Sequence, residues 1–260
     1  VNWLTQDTRA ASAARLLIAL AVLIALWDVL TRTLVTNQLI LVPPGDVLRA
    51  LVTEVADGSL AKNSVVTLWE LAVSFPIAVV AGIAVGVVLA GNRIIASTAE
   101  PLLTALNAVP IVALAPLFIA WLGLGFASKF AVIVLVSVFS VIISTEVGLR
   151  SAPEEFIEAA RSFNASPWQV FTTVTLPFAI PFIIGGIRVA FARALVGVIV
   201  AEFFGSLAGY GNAILAAGQQ FNTARLLAYV VVLGTLGLAG SILLRTLESR
   251  MAPWREVART

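Results

Sequence analysis

Residues 71–90 read LAVSFPIAVVAGIAVGVVLA, twenty positions without a charge. Wound as an α-helix at about 1.5 Å per residue, the stretch reaches about 30 Å, the thickness of a bilayer's hydrocarbon core. Five further runs of similar length and apolarity lie at Leu16 to Val35, Leu102 to Leu122, Phe130 to Leu149, Ile183 to Phe204 and Leu226 to Leu244. Lipid offers no hydrogen bond to a bare backbone, and none of these runs alternates with period two, so helices are expected. The predicted fold is all-α and polytopic: six spans in one membrane domain over residues 1–260, with no soluble second domain, low-complexity linker or fixed-period repeat.

Composition narrows the chemistry. Of 260 residues, 60% are hydrophobic and 12% charged, far from the balance of a soluble domain. Cysteine and histidine are absent, which removes disulfides, thiolate nucleophiles, imidazole bases and most transition-metal sites. An intramembrane hydrolase would have only Ser, Thr and carboxylates to work with. No GxxxxGK[ST] loop occurs, and Lys62 and Lys129 follow no glycine-rich phosphate cradle, so no nucleotide-binding loop of this kind is expected in this chain. A net charge of +2, with arginines at the ends of spans, argues against nucleic acid and marks topology instead.

With the N-terminus inside, the inner segments carry nine basic residues (Arg9, Arg15, Arg93, Arg150, Arg161, Arg245, Arg250, Arg255, Arg259) against five outside (Arg32, Arg49, Lys62, Lys129, Arg225). This bias puts both termini in the cytoplasm. Arg9 and Arg15 ahead of an apolar run resemble a signal peptide, but no convincing small-residue cleavage site precedes Trp27 and Asp28, so a retained first span is expected. Residues 43–63 then form an external amphipathic segment. Asp46 is expected to cap its helix, and Val47, Leu48, Leu51, Val52 and Val55 form an apolar stripe that either seals the bundle or meets an external partner.

Within the spans, Gly82 and Gly86, with Ala78 and Ala90, make a small-residue face for close helix packing. In the third span, NAVPIVALAPLF (107–118) carries Pro110 and Pro116, each removing a backbone donor and bending the helix. Bent helices with freed carbonyls line cavities, so Asn107 and Pro110 are candidate pathway residues beside the simpler reading of a structural kink. In the fifth span Arg188 and Glu202 are fourteen residues apart, on nearly one face but about 21 Å from each other, too far to pair. Arg193 points nearly opposite to Glu202. Intramembrane charges of this kind suggest a translocation pathway, although Arg188 could also snorkel to the inner interface. Asp28 and Arg32, at i and i+4, read as a local ion pair.

Between the fourth and fifth spans the chain turns polar. SAPEEFIEAARSF places Pro153 for a first turn and Glu154 and Glu155 where the helix dipole favours acids, predicting a helix to about Phe163. Asn164 falls where a helix often ends in a left-handed residue, and Ser166-Pro167 with Gln169 matches a capping box that starts a second short helix before Pro177 leads into the next span. Residues 151–176 thus form a rigid cytoplasmic elbow.

Glu158-Ala159-Ala160, Asn164, Val174 and Leu176-Pro177 resemble the EAA motif of permease subunits from ABC importers, with Asn164 in place of the usual Gly and Val174 in place of Ile. The resemblance spans nearly the whole chain and is closest to nitrate, sulfonate and taurine permeases, through LVPPGDVLRAL, the Gly82 to Gly91 end of span two, PIVALAPLFIAWLGLG, STEVGLRSAPEEFIEAARS, VAEFFG and GYGN. Glu70 departs from it, standing where members often carry a basic residue. The resemblance implies two paired permease copies, normally a homodimer, in a bacterial inner membrane. It also implies that Glu158, Ala159, Ala160, Arg161, Ser162, Phe163 and Asn164 dock as a coupling helix on a separate cytoplasmic ATPase that binds ATP and Mg, and that an external substrate-binding protein delivers the cargo. No cofactor is expected in this chain. An arginine-lined pathway suits a small oxyanion such as nitrate, sulfonate, taurine or bicarbonate, although related permeases are also associated with neutral heterocycles. The rival reading is an ion-coupled secondary transporter in which Arg188, Arg193 and Glu202 bind substrate and a proton.

Overall fold

The computed structural model of the chain describes residues 9–34, 37 and 39–251, the side chains of 9–13 and 16 excepted. Val35, Arg255 and Arg259, used in the span and charge readings, lie outside the described residues, as do the side chains of Arg9 and Leu16. Every regular element among the described residues is helical. In order they are α1 (Arg9–Thr33), α2 (Pro44–Ala56), α3 (Ser59–Gly91), α4 (Arg93–Ala108), a 3-10 turn (Ile111–Leu114), α5 (Ala115–Leu122), α6 (Phe126–Arg150), α7 (Glu154–Ser162), α8 (Pro167–Val170), a π turn (Phe171–Thr175), α9 (Leu176–Gly205), α10 (Tyr210–Gln219) and α11 (Thr223–Met251).

Among the described residues four helices are long and apolar enough to cross a membrane, α3, α6, the continuous run Pro167–Gly205 and α11; α1, the expected first span, is not one of them. The segments Arg93–Ala108 and Ile111–Leu122 meet the same test only together, bent by 72°. The third expected span is therefore corrected from one kinked helix to two helices and a break. Val109 precedes Pro110, whose ring disfavours the helical region for its neighbour, and Val109 is extended at φ −68°, ψ 130°. Pro116 then sits in the first turn of α5, where its missing N–H costs nothing.

The chain divides into two compact units. One holds the described residues up to Ala61 together with Ala213–Val231; the other holds Lys62–Asn212 with the described residues from Val232 on. In the first unit Val42, Val47 and Ala228 are buried, with Trp27, Leu51 and Leu227 packed around them. Asp28 and Arg32 pair at 2.7 Å. Helix α2 differs from its reading in three ways. It begins at Pro43 without a side-chain cap, and Asp46 instead pairs with Arg49 at 3.3 Å. It ends at Ala56, so residues 59–63 open α3. Its stripe is split, with Val47 buried and Leu48, Val52 and Val55 exposed, because its inner face also holds Glu54. That carboxylate takes the Arg225 guanidinium at 2.6 Å and accepts from the Tyr229 hydroxyl. In the turn between α2 and α3, the backbone N–H of Ser59 donates to Asp57 and holds its carboxyl below the usual carboxylate range.

In the second unit α6 and α9 form the most extensive helix pair, and α5 lies against both. Small residues permit the approach. Ala190 and Ala194 of α9 are fully buried, and a Cβ on Gly82 or Gly86 of α3 would strike Val141 or Thr145 of α6. A Cβ on Gly186 would strike Ser144, while one on adjacent Gly185 meets nothing within 4 Å. Gly186→Ala should therefore lower stability by about 1–3 kcal/mol through overpacking. Gly185→Ala should be neutral or slightly stabilising, since alanine restricts the unfolded chain. Thermal unfolding of the two variants in one detergent checks this; equal melting temperatures would refute the packing account.

Candidate functional site

The elbow is built as a series of satisfied helix ends. Pro153 is the N-cap of α7 and Glu154 and Glu155 fill its first turn. At the other end Asn164 takes φ +58°. Its N–H donates to the Arg161 carbonyl at 2.9 Å, and the Ala165 N–H donates to the Ala160 carbonyl at 3.2 Å. These two bonds are a Schellman motif with Asn in the position usually held by Gly. One residue later the Ser166 hydroxyl accepts from the Gln169 N–H at 3.3 Å, and the Ser166 N–H donates to the Gln169 side chain at 2.7 Å. This is the capping box of α8, with Pro167 in its first turn.

The second arm is not a separate helix. The Leu176 N–H reaches back five residues to Phe171, and the hydroxyls of Thr172 and Thr173 bond the carbonyls of Trp168 and Gln169. This π turn precedes Pro177, so the helix passes the missing donor and runs on to Gly205. The outer surface of the elbow is exposed at Glu158, Ala159, Arg161, Ser162, Phe163 and Asn164, while Ala160 is half-buried. Phe163 is 88% exposed and Trp168 70%, the most uncovered of the elbow's large aromatics, with Phe156 exposed beside them.

The intramembrane charges fall into four groups. Glu202 is fully buried and accepts from the Thr67 hydroxyl at 2.7 Å and the Gly211 N–H at 2.6 Å. Thr67 also takes the Tyr210 N–H at 2.8 Å, and Asn63 takes the Gly209 N–H at 2.9 Å. The 206–209 loop and the start of α10 are thereby tied to α3 and α9. Gly209, at φ +112°, and Gly211 are required there, because a Cβ on Gly209 would collide with the Glu202 carboxylate and one on Gly211 with the Ile199 carbonyl and the Glu202 Cβ. Beside this latch the buried Glu70 and Lys129 form an ion pair, and Lys129 also donates to Ser206 at 3.1 Å. Arg188 pairs with Glu248 of α11.

Arg193 is different. It donates to the Asn107 side-chain oxygen at 2.7 Å and is half-buried. Both residues, with Pro110, line a cavity of about 400 Å³ whose remaining wall is apolar, including Val109, Val136, Phe139, Val189 and Val196. Of the five pathway candidates, Asn107, Pro110 and Arg193 converge on this cavity; Arg188 and Glu202 do not line it. Arg188 and Glu202 are engaged by Glu248 and by the latch, so nothing here favours an ion-coupled transporter. Sequence reasoning missed the roles of Thr67, Asn63 and Glu54. The glycines around Tyr210 were the one local signal of a tightly approached group.

Residues 64–253 match the family described as binding-protein-dependent transport system inner membrane component. The chain belongs to this family, the permease subunits of ABC importers, multi-pass proteins of the inner membrane that carry solutes and are not themselves catalytic. It is 30% identical over 235 residues to the putative aliphatic sulfonates transport permease protein SsuC of Bacillus subtilis, covering 90% of this chain and 85% of that one. It is 27% identical over 234 residues to the formylaminopyrimidine transport permease protein ThiX of Halalkalibacterium halodurans, covering 90% and 93%. Among solved structures, the MetNI methionine ABC transporter in an inward-facing form aligns with a TM-score of 0.64 at 20% identity, covering 77% of this chain and 97% of that one, a likeness of fold.

The Glu70–Lys129 pair makes a sharp test of how this unit is held together. Lys129→Met leaves a buried carboxylate without its cation and should cost about 3–5 kcal/mol, while adding Glu70→Leu to the same chain should recover most of the loss. Melting temperatures in detergent read the difference. A double variant as unstable as Lys129→Met would show that the cost lies elsewhere than in the uncompensated charge.

Proposed function

We propose that this chain forms half of the translocation pathway of an importer for a small oxyanion, such as nitrate, a sulfonate, taurine or bicarbonate. A second copy completes the pathway, and an external or periplasmic binding protein delivers the solute. Helix α1 supplies the first of six spans, the broken α4–α5 pair the third, and both termini face the cytoplasm. ATP and Mg are bound by a separate cytoplasmic ATPase. Glu158 to Asn164 are the surface that docks on it.

The observation that carries this reading is the elbow's construction. Phe163 and Trp168 are uncovered aromatics on a polar segment, as expected of a surface that seats in a partner's groove. The arm bearing Trp168 continues without a break into the helix that carries Arg193. Closure of an ATPase pair around ATP would therefore move the cavity wall directly, since a helix transmits rigid-body motion over its length. Ala159 and Ala160 keep the docking face low, and Glu158 offers a charge to the partner.

Affinity purification of the chain from its own membrane is expected to recover a Walker-type ATPase at one copy per permease. Ala159→Trp with Ala160→Trp should keep the chain in the membrane at wild-type level but lower recovered ATPase and solute-dependent ATP hydrolysis at least tenfold. Solute-controlled hydrolysis that survives the double substitution would refute the docking assignment. Solute uptake by the purified chain alone under an ion gradient would refute the importer reading as a whole.

A further inference from the structure

We propose that the Arg193–Asn107 cavity is a binding subsite within the membrane, selective for an organic monoanion with a compact apolar body over inorganic oxyanions and zwitterions. The proposal rests on the permease reading and narrows its substrate class. Arg193 lies seventeen residues beyond Leu176 and twelve before Gly205, so roughly 18–25 Å of helix extends on either side of it. A guanidinium at that depth is costly unless an anion faces it. Glu70, Lys129, Glu146, Arg188 and Glu202 each have a partner within the chain. Arg193 has only the neutral Asn107, and among the described residues no carboxylate lies within ion-pair distance of it. The missing counter-ion is the ligand's head group.

Geometry sets the rest of the preference. Asn107 spends its oxygen on Arg193, which leaves its amide N–H groups free to donate to the same anion. Among the described residues none lining the cavity of about 400 Å³ is acidic, so the ammonium of a zwitterion finds no partner there and must be desolvated without compensation. Nitrate or bicarbonate would meet Arg193 but leave Val109, Val136, Phe139, Val189 and Val196 uncovered. A short alkyl chain fills that wall, and each methylene buried is worth about fourfold in affinity. A short alkanesulfonate or alkanoate has both features.

The test uses the full chain, copurified with its ATPase and placed in lipid nanodiscs, with radiolabelled butanesulfonate as probe in equilibrium dialysis. Saturable binding is expected, at least tenfold weaker for Arg193→Gln, with methanesulfonate competing less well than the probe and nitrate and taurine at least tenfold less well. Ala192→Leu, at an exposed position on the cavity wall, adds bulk without touching charge. It should weaken butanesulfonate at least fivefold while leaving methanesulfonate unchanged, a readout that misfolding would not give. Wild-type binding by Arg193→Gln, equal competition by nitrate or taurine, or an Ala192→Leu variant with unchanged butanesulfonate affinity would each overturn the subsite. Absence of saturable probe binding to the wild-type chain with the ATPase still bound sinks the subsite and leaves the coupling reading intact. Probe binding to a chain that recovers no ATPase sinks the coupling reading and upholds the subsite.

Discussion

Hydrocarbon offers no water to a charge, and that one constraint organises the interior of this protein. Glu202 could stay inside only by drawing in the Thr67 hydroxyl and the Gly211 amide, which brings the 206–209 loop and the start of α10 down onto α3 and α9. Glu70 and Lys129 answer each other beside it, and Arg188 is answered from α11 by Glu248. These pairs are expensive to assemble and more expensive to break, so they specify which helices are neighbours as much as they stabilise them. Arg193 is left with a neutral partner and an apolar cavity. A site for an anion then needs little further construction, because the helix already presents the charge.

The second organising element is the missing donor of proline, whose effect depends on where it falls. Pro76 and Pro181 sit inside α3 and α9 without ending them, as is common in membrane helices, where neighbours and local adjustment re-satisfy the freed carbonyl. Pro177 is absorbed by the π turn before it. Pro110 does end a helix, and the break it makes supplies one edge of the cavity. The break and the charge belong to different helices and serve one site. The same economy joins the elbow to the cavity, since the helix that starts at the capping box of Ser166 and Gln169 is the helix that carries Arg193.

Much of this was legible in the residues alone. The long apolar runs announced all-helical spans, and the elbow could be read almost bond by bond, with the left-handed Asn164 and the reciprocal Ser166–Gln169 cap where the pattern placed them. Such features involve residues within five positions of each other, and local stereochemistry decides them. The third span was misread as a single kinked helix, because a proline's effect depends on whether surrounding helices hold the chain straight. Asp46 was misread as a cap because Pro43 and Pro44 already define the start of α2.

Sequence by itself determined that this chain is a helical membrane protein, that its longest apolar runs are helices, and how its polar elbow turns. Only the tertiary structure decided which charge meets which. Glu202 and Thr67 are 135 residues apart, and Glu54 and Arg225 are 171. No local pattern records a contact at such separation. The physical reason is that a helix's own geometry is set by neighbours three to five residues away, whereas a buried charge is satisfied by whatever group packing brings within 3 Å. Arg188 and Arg193 look alike in sequence, five positions apart in one apolar helix. Packing gave the first a carboxylate and gave the second a cavity.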